Sequence, residues 1–281
     1  MADCIAQILQ LAEQQLQNVS DSARLDAEVL LAMVLNKNRS YFRAFAEQEL
    51  TTAEQLQFLA LLDKRSEGQP IAHITGHREF WSLDLTVNEH TLIPRPDTEV
   101  IIEFILHHFP QDKLRLADLG TGSGAIALAL ASEKPQWEIL ATDQSAQALT
   151  VAQNNALKHQ LTNVCFKQGS WFEPLGTQPF DIIISNPPYI PERDPHLLQG
   201  DVRFEPMTAL ASGTDGLDDI RHLIKHAKTY LQTQGWLILE HGYDQQAAIY
   251  QLFQQAGFMN IRQRNDYADN PRMTAGQYIR K

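Results

Sequence analysis

Over the first 68 residues, apolar side chains return every three or four positions. Ile5, Ile8, Leu9, Ala12 and Leu16 predict one helix. Ser20 or Asp21 can cap a second, carrying Leu25, Val29, Leu30 and Val34. Thr51 with Glu54 three residues on has the pattern of a capping box. The helix it opens carries Leu56, Leu59 and Leu62 and ends near Gly68-Gln69-Pro70. The period then drops to two across 78–81 and 83–87, which predicts a β-hairpin. From Asp97 onward helices and strands alternate. Helices are predicted over 98–108, 125–132, 146–159, 217–231 and 245–256. Strands are predicted over 114–119, 138–142, 164–167, 180–185 and 236–240, with two more near 258–264 and 276–280. Such alternation predicts an α/β fold, a parallel sheet with helices on both faces. The expected organisation is a helical bundle over 1–72, a hairpin linker over 73–94 and an α/β domain over 95–281.

Composition narrows this picture without redirecting it. At 43% hydrophobic and 20% charged residues the chain is globular, and no apolar run approaches the ~20 residues of a membrane span. The start shows no basic segment followed by an apolar core, so no secretion signal is expected. Cys4 and Cys165 stand apart, without metal-ligand spacing, which suits a reduced, cytoplasmic protein. His73, His77 and the His107-His108 pair also lack such spacing and read as solvated or structural; no metal is expected. The net charge of −11 splits into −4 over residues 1–70 and −7 over the rest, so neither part is basic as nucleic-acid binding usually requires.

The candidate chemistry begins with Asn186-Pro187-Pro188-Tyr189, at the carboxyl end of the apolar strand over 180–185, where ligands bind in open α/β sheets. Asn186 offers a side-chain carbonyl as acceptor, Pro187 a backbone carbonyl with no competing N–H, and Tyr189 a flat face. Two acceptors beside an aromatic wall suit a planar NH2 group. A Pro-rich turn closing a strand is the plain structural alternative.

A second segment closes the strand over 114–119. Asp118 is followed by Gly120, Thr121, Gly122, Ser123 and Gly124, a G-x-G-x-G spacing that differs from dinucleotide sites and lacks the Lys-Ser/Thr of a phosphate loop. By itself this is as consistent with a tight turn as with a ligand loop. Asp143, nineteen residues after Gly124, ends the next strand, where an acid can hold ribose hydroxyls. Asp118 can anchor the loop or face a cationic ligand. Trp171, after the third strand, can cover an adenine face or pack in the core. Together these groups describe a methyltransferase using S-adenosyl-L-methionine on a planar nitrogen. Such a nitrogen needs its N–H bonds held as it attacks more than it needs a base, although Glu205 is a candidate neighbour.

The chain resembles the bacterial release-factor glutamine N5-methyltransferases of the HemK or PrmC type essentially from end to end. Beyond Asp118–Gly124 and Asn-Pro-Pro-Tyr, the resemblance rests on Gln69-Pro70-Ile71, Ile74-Thr75-Gly76, Phe80-Trp81 and Leu92-Ile93-Pro94-Arg95-Pro96-Asp97-Thr98-Glu99. It also rests on Glu205-Pro206, Asp215-Gly216-Leu217-Asp218, Gly257-Phe258 and the segment 266–272. The resemblance implies a helical N-terminal domain, a hairpin linker and a class I methyltransferase (Rossmann-like) sheet whose last strand is antiparallel. It implies S-adenosyl-L-methionine bound by Gly120–Gly124, Asp143, Trp171 and Asn186. It implies that the glutamine of the Gly-Gly-Gln motif of class 1 peptide chain release factors meets Asn186, Pro187, Pro188 and Tyr189. The N-terminal domain would supply the recognition surface, with no direct nucleic-acid or membrane partner. Ribosomal-protein glutamine methyltransferases and nucleic-acid amino-methyltransferases share Asn-Pro-Pro-Tyr. The former match less well around Ile93–Glu99, and the acidic balance counts against the latter.

Overall fold

The computed structural model describes residues 4–280; the start inspected for a leader, Met1 to Asp3, lies outside the described residues. The chain forms two compact units. One runs to His77 and includes the short excursion Leu198–Phe204; the other comprises Arg78–Leu197 and the chain from Glu205 onward.

The first unit contains α1 (Ile5–Leu16), α2 (Ala23–Leu35), α3 (Arg39–Ala44), α4 (Thr52–Ser66) and α5 (Ile71–Thr75). Its core joins Ile5, Leu9 and Leu16 to Leu30, Leu31, Phe42, Phe58 and Leu62. The capping box forms: Thr51 N–H donates to Glu54 Oε2 (2.7 Å) and Glu54 N–H to Thr51 Oγ1 (3.3 Å). Two helix faces differ from expectation. In α4 the buried positions are Phe58, Leu62 and Arg65, while Leu56 and Leu59 stay 64% and 49% exposed. In α2 the buried face carries Asp26, Ala27, Leu30 and Leu31, and Leu25 is exposed. The reason is a buried ion pair: Arg65 Nε donates to Asp26 Oδ2 at 2.7 Å, so both helices turn a charged residue inward. The excursion Leu198–Phe204 is held by the same arginine, whose Nη1 reaches Asp201 at 2.9 Å. Ser22 precedes α2, where Ser20 or Asp21 was expected as the cap, and its hydroxyl goes to Asp26 Oδ1 (3.1 Å).

A two-stranded hairpin follows, β1 (His77–Phe80) and β2 (Leu83–Thr86), which from Arg78 onward belongs to the second unit. It continues through α6 (Glu99–His108), β3 (Arg115–Leu119), α7 (Ala125–Glu133), β4 (Glu138–Asp143), α8 (Ala146–Lys158), β5 (Val164–Gln168) and β6 (Phe180–Ser185). It closes with α9 (Asp218–His226), β7 (Leu231–Glu240), α10 (Gln246–Gln255), β8 (Met259–Asn265) and β9 (Pro271–Gln277). The seven-stranded sheet has the order β5-β4-β3-β6-β7-β9-β8. Strands β3 to β7 pair in parallel, and β9 runs antiparallel between β7 and β8. This is the class I arrangement that the resemblance implied. The last strand begins five residues earlier than expected, because Pro271 can start a strand whose interior, Met273 to Ala275, is fully buried.

Core residues lie on both faces of the sheet, as continuous apolar strands require. Ile182 and Ile184 of β6 pack with Ile101, Ile105, Leu130 and Trp137, while Ile183 packs with Ile220, Ile224, Leu239 and Phe253. The strand order reverses beside β3, between β4 and β6, so the carboxyl ends of these three strands border the crevice of an open sheet. No helix of the described residues is long and apolar enough to cross a membrane.

Candidate active site

The crevice is a cleft with about 1010 Å³ of free space measured out to its mouth. It is lined from four directions: by Phe80 and the segment from His90 to Thr98; by Asp118 and the glycine loop; by Asp143 and Trp171; and by Asn186 and Pro188.

The loop after β3 is shaped by glycine. Gly120, Gly122 and Gly124 have φ of 74°, 58° and 86°, which other residues rarely adopt. The amides of Gly120 and Thr121 both donate to the Thr142 carbonyl (2.9 and 2.8 Å), so the loop folds across the end of β4. Trp171 crowds it from the far side: a Cβ on Gly120 would lie 3.4 Å from the indole ring. Trp171 also packs against the core, so its lining and core roles coexist.

Asp118 is buried at the end of β3. Its Oδ2 accepts from the Thr121 hydroxyl at 2.6 Å, whereas Oδ1 has no partner among the described residues. Burial, reinforced by the nearby Asp143 carboxylate, pushes Asp118 up to about 7 against the pull of the Thr121 hydroxyl and the Ala127 backbone N–H. Asp143 is also raised by burial, opposed by backbone N–H groups. Its Oδ2 accepts from Gly122 N–H and its Oδ1 from Ser145 N–H, both at 2.9 Å. Asp143 is therefore both the acid at the end of β4 and the clasp of the glycine loop.

Asn186 follows β6, with its Nδ2 facing the Thr98 hydroxyl at 3.5 Å. Asn186 and Pro188 line the cleft; Pro187 and Tyr189 do not. The Tyr189 hydroxyl points to Glu240 Oε1 (3.4 Å), its carbonyl accepts from Gln245 Nε2 (2.8 Å), and burial raises its pKa above the tyrosine range. Glu205 is committed elsewhere: one carboxylate oxygen pairs with Arg95 and the other accepts from Ile93 N–H (2.9 Å). It thereby clamps the segment that carries Thr98. Among the described residues, no three His, Cys, Asp or Glu side chains gather as a metal would require.

Three positions escaped the sequence reading. Thr98 read as the first residue of a helix, Glu240 as the last of a strand, and Asn155 as one polar residue in α8. Asn155 is buried and bonds Thr86 through both N–H and carbonyl (2.8 and 3.0 Å) and the Ser123 carbonyl (3.0 Å), joining hairpin to loop. An amide on the apolar face of α8 was the available signal. Glu240 closes an apolar strand as Asp118 and Asp143 close theirs, and that parallel was equally readable.

The donor set fits a ligand with a donor-bearing or cationic end, a hydroxylated middle and a flat ring. Asp118 Oδ1 lacks a donor, Asp143 sits at the neighbouring strand end, and Trp171 offers an aromatic face. Residues 7–76 match the family described as PrmC N-terminal domain, and residues 98–199 the Methyltransferase small domain. The chain is 50% identical over 270 residues to a release factor glutamine methyltransferase of Escherichia coli (strain K12), covering 96% of this chain and 97% of that one. It is 48% identical over 261 residues to the protein of the same name from Aliivibrio fischeri, covering 92% of each. A methyltransferase structure from Pyrococcus furiosus aligns with a TM-score of 0.54 at 16% identity, over 82% of this chain and all of that one; this speaks to the fold alone. Half of the residues shared over nearly the whole length, with both units matched, show that the chain belongs to the release factor glutamine methyltransferase family.

Proposed function

We propose that this protein transfers a methyl group from S-adenosyl-L-methionine to the side-chain N5 of the glutamine in the Gly-Gly-Gln motif of class 1 peptide chain release factors. The observation that carries the reading is Asn186 beside the glycine loop at the switch point of the sheet, in a chain half-identical to enzymes named for that activity. When bound, the cofactor supplies an electrophilic methyl group and leaves as S-adenosyl-L-homocysteine. Gly120 to Gly124 and Asp143 would hold its sugar end, Trp171 its ring and Asp118 Oδ1 its donor-bearing end, with Asn186 at the border with substrate.

The glutamine nitrogen is a weak nucleophile, because its lone pair is delocalised into the carbonyl. Asn186 Oδ1 and the Pro187 carbonyl would each accept one of its N–H bonds. Two fixed acceptors favour the nitrogen as it rehybridises, and the benefit grows as positive charge develops on it. Pro187 and Pro188 stiffen this arrangement, and Tyr189, anchored through its carbonyl and hydroxyl, holds the end of the turn. No side-chain base is required before attack: the methylated nitrogen is cationic and strongly acidic and releases one of its two protons to water, which agrees with Glu205 being held by Arg95. The helical unit would provide the additional surface that recognition of a whole protein needs, about 800 Å² per partner. A cytoplasmic location fits a substrate that works on ribosomes.

The test is incubation with labelled cofactor and, separately, release factor, DNA, tRNA and ribosomal components. Label in release factor that disappears when its Gly-Gly-Gln glutamine is replaced supports the reading. Label in nucleic acid or ribosomal protein, with none in release factor, refutes it.

A further inference from the structure

An asparagine amide presents two nearly identical shapes, oxygen forward or nitrogen forward, and only its hydrogen-bond surroundings select between them. The proposed chemistry needs oxygen forward, because a donor aimed at the substrate NH2 would repel it. The structure contains a device that makes this choice. Thr98 is buried and lines the cleft beside Asn186. It stands immediately before α6, where a threonine usually caps the helix through its hydroxyl. Here the hydroxyl makes no capping bond and instead faces Asn186 Nδ2 at 3.5 Å.

A hydroxyl can donate or accept, so Thr98 alone does not decide the orientation. Glu240 decides it. Ser185 of β6 is paired with Leu239 of β7, so Asn186 and Glu240 are the next residues on adjacent strand ends. Glu240 is almost wholly buried, its Oε2 has no hydrogen-bond partner among the described residues, and its carboxyl lies beside the Thr98 hydroxyl. An unpartnered carboxylate oxygen there is the acceptor open to the Thr98 proton, and with the proton so directed the Thr98 oxygen faces Asn186 only as an acceptor. The same carboxyl accepts from the Tyr189 hydroxyl at 3.4 Å, so one side chain steadies both ends of Asn-Pro-Pro-Tyr. A carboxylate offers only acceptors, whereas a neutral acid keeps one accepting oxygen but also carries a donor, so the ionised form makes the selection firmest. Arg272 supports the cluster, tied to Asp97 at 3.2 Å and Asp266 at 2.9 Å.

We propose that Thr98 and Glu240 are positioning residues that orient the Asn186 amide, with Nδ2 on the Thr98 hydroxyl and Oδ1 toward the cleft. This deepens, and rests on, the amide-methylation reading above. Neither residue touches the reacting atoms; both act through Asn186.

The test uses the full-length protein with Thr98→Val, Thr98→Ser, Glu240→Met and Glu240→Gln. Valine keeps the shape of threonine and removes the hydroxyl; serine restores it. Glutamine keeps an accepting oxygen that methionine lacks. Turnover at saturating release factor is expected to fall roughly tenfold in Thr98→Val and Glu240→Met, and to recover in Thr98→Ser and Glu240→Gln. Cofactor affinity by calorimetry should stay within about twofold in all four, since neither residue is among the groups proposed to hold the cofactor. An activity-free readout is the side-chain amide signal of Asn186 in a nitrogen–proton correlation spectrum, assigned by its loss in Asn186→Asp. That signal should shift in Thr98→Val and return in Thr98→Ser. If the wild type methylates release factor and a folded Thr98→Val does so at the same rate, the inference is overturned. If the wild type methylates nothing, the functional reading fails, and an Asn186 signal unmoved by Thr98→Val would still overturn the orienting role by itself.

Discussion

Gly216 carries a sharp test of how the Asn-Pro-Pro-Tyr turn is held. It precedes α9 with φ of 76°, and a Cβ at this position would lie 2.2 Å from the Tyr189 carbonyl oxygen and 2.8 Å from Gln245 Nε2. An ordinary contact between carbon and carbonyl oxygen is about 3.3 Å or more, so Gly216→Ala must displace the Tyr189 carbonyl by roughly 1 Å. That movement breaks the 2.8 Å bond from Gln245. Two costs add. The left-handed backbone costs alanine about 1–2 kcal/mol. Losing the bond and straining the contact costs roughly 2–3 kcal/mol more. Gly257→Ala separates them, because Gly257 has nearly the same φ, 73°, in the same unit, and its new Cβ would meet only the tip of Lys228 at 3.1 Å. Urea unfolding should place Gly216→Ala below Gly257→Ala by roughly 2–3 kcal/mol. Turnover should fall by up to about 10² in Gly216→Ala, because the Asn-Pro-Pro-Tyr turn is displaced by an amount that such chemistry does not tolerate. Equal stability of the two variants, with turnover unchanged in both, would refute the argument that Tyr189 is clamped from behind by its carbonyl.

Asp143→Ala should weaken cofactor binding by roughly 10- to 100-fold, since charged hydrogen bonds contribute about 1.5–3 kcal/mol; calorimetry on the folded variant decides, and unchanged affinity removes Asp143 from the site. Asp118 makes stability fall with rising pH. Its folded pKa of about 7 stands above the unfolded 3.8, so its contribution is complete below the unfolded value and is lost as pH rises through the folded value. Between these limits the slope approaches about 1.4 kcal/mol per pH unit, and Asp118→Asn should flatten that part of a urea-unfolding pH series; an unaltered series contradicts the assignment. Arg65→Met should destabilise the helical unit by roughly 3–5 kcal/mol by stranding buried Asp26, and Arg65→Met with Asp26→Leu should recover most of the loss in the same unfolding assay.

Much of the catalytic unit was readable because its strands are buried on both faces and end at punctuating residues. β6 fell where the run from Phe180 to Ser185 placed it, and the glycine loop, Asp143 and Asn186 each follow a strand directly. What could not be read is assembled across the chain. Thr98, Glu240 and Arg272 belong to a turn, β7 and β9, and only the sheet order brings them together. Glu205 looked like a free carboxylate because nothing local reveals Arg95 beside it. In the helical unit, counting leucines misjudged α4. Periodicity assumes that the inward face is the apolar one, and the Asp26–Arg65 pair breaks that assumption while leaving Leu56 and Leu59 exposed. β9 was misplaced because proline usually argues against a strand, yet Pro271 occupies the first position, where no ladder bond is lost.

In the proposed reaction Asn186, at the end of β6, directs methyl transfer to one glutamine nitrogen. Fragmentation mass spectrometry of purified release factor, treated with cofactor and either the wild type or Asn186→Ala, tests it most directly. A single added methyl group on the side chain of the Gly-Gly-Gln glutamine is expected with the wild type. The rate should be about 10²–10³-fold lower with a folded Asn186→Ala that still binds cofactor. Methylation at another residue, or a near-normal rate without the Asn186 amide, would contradict it.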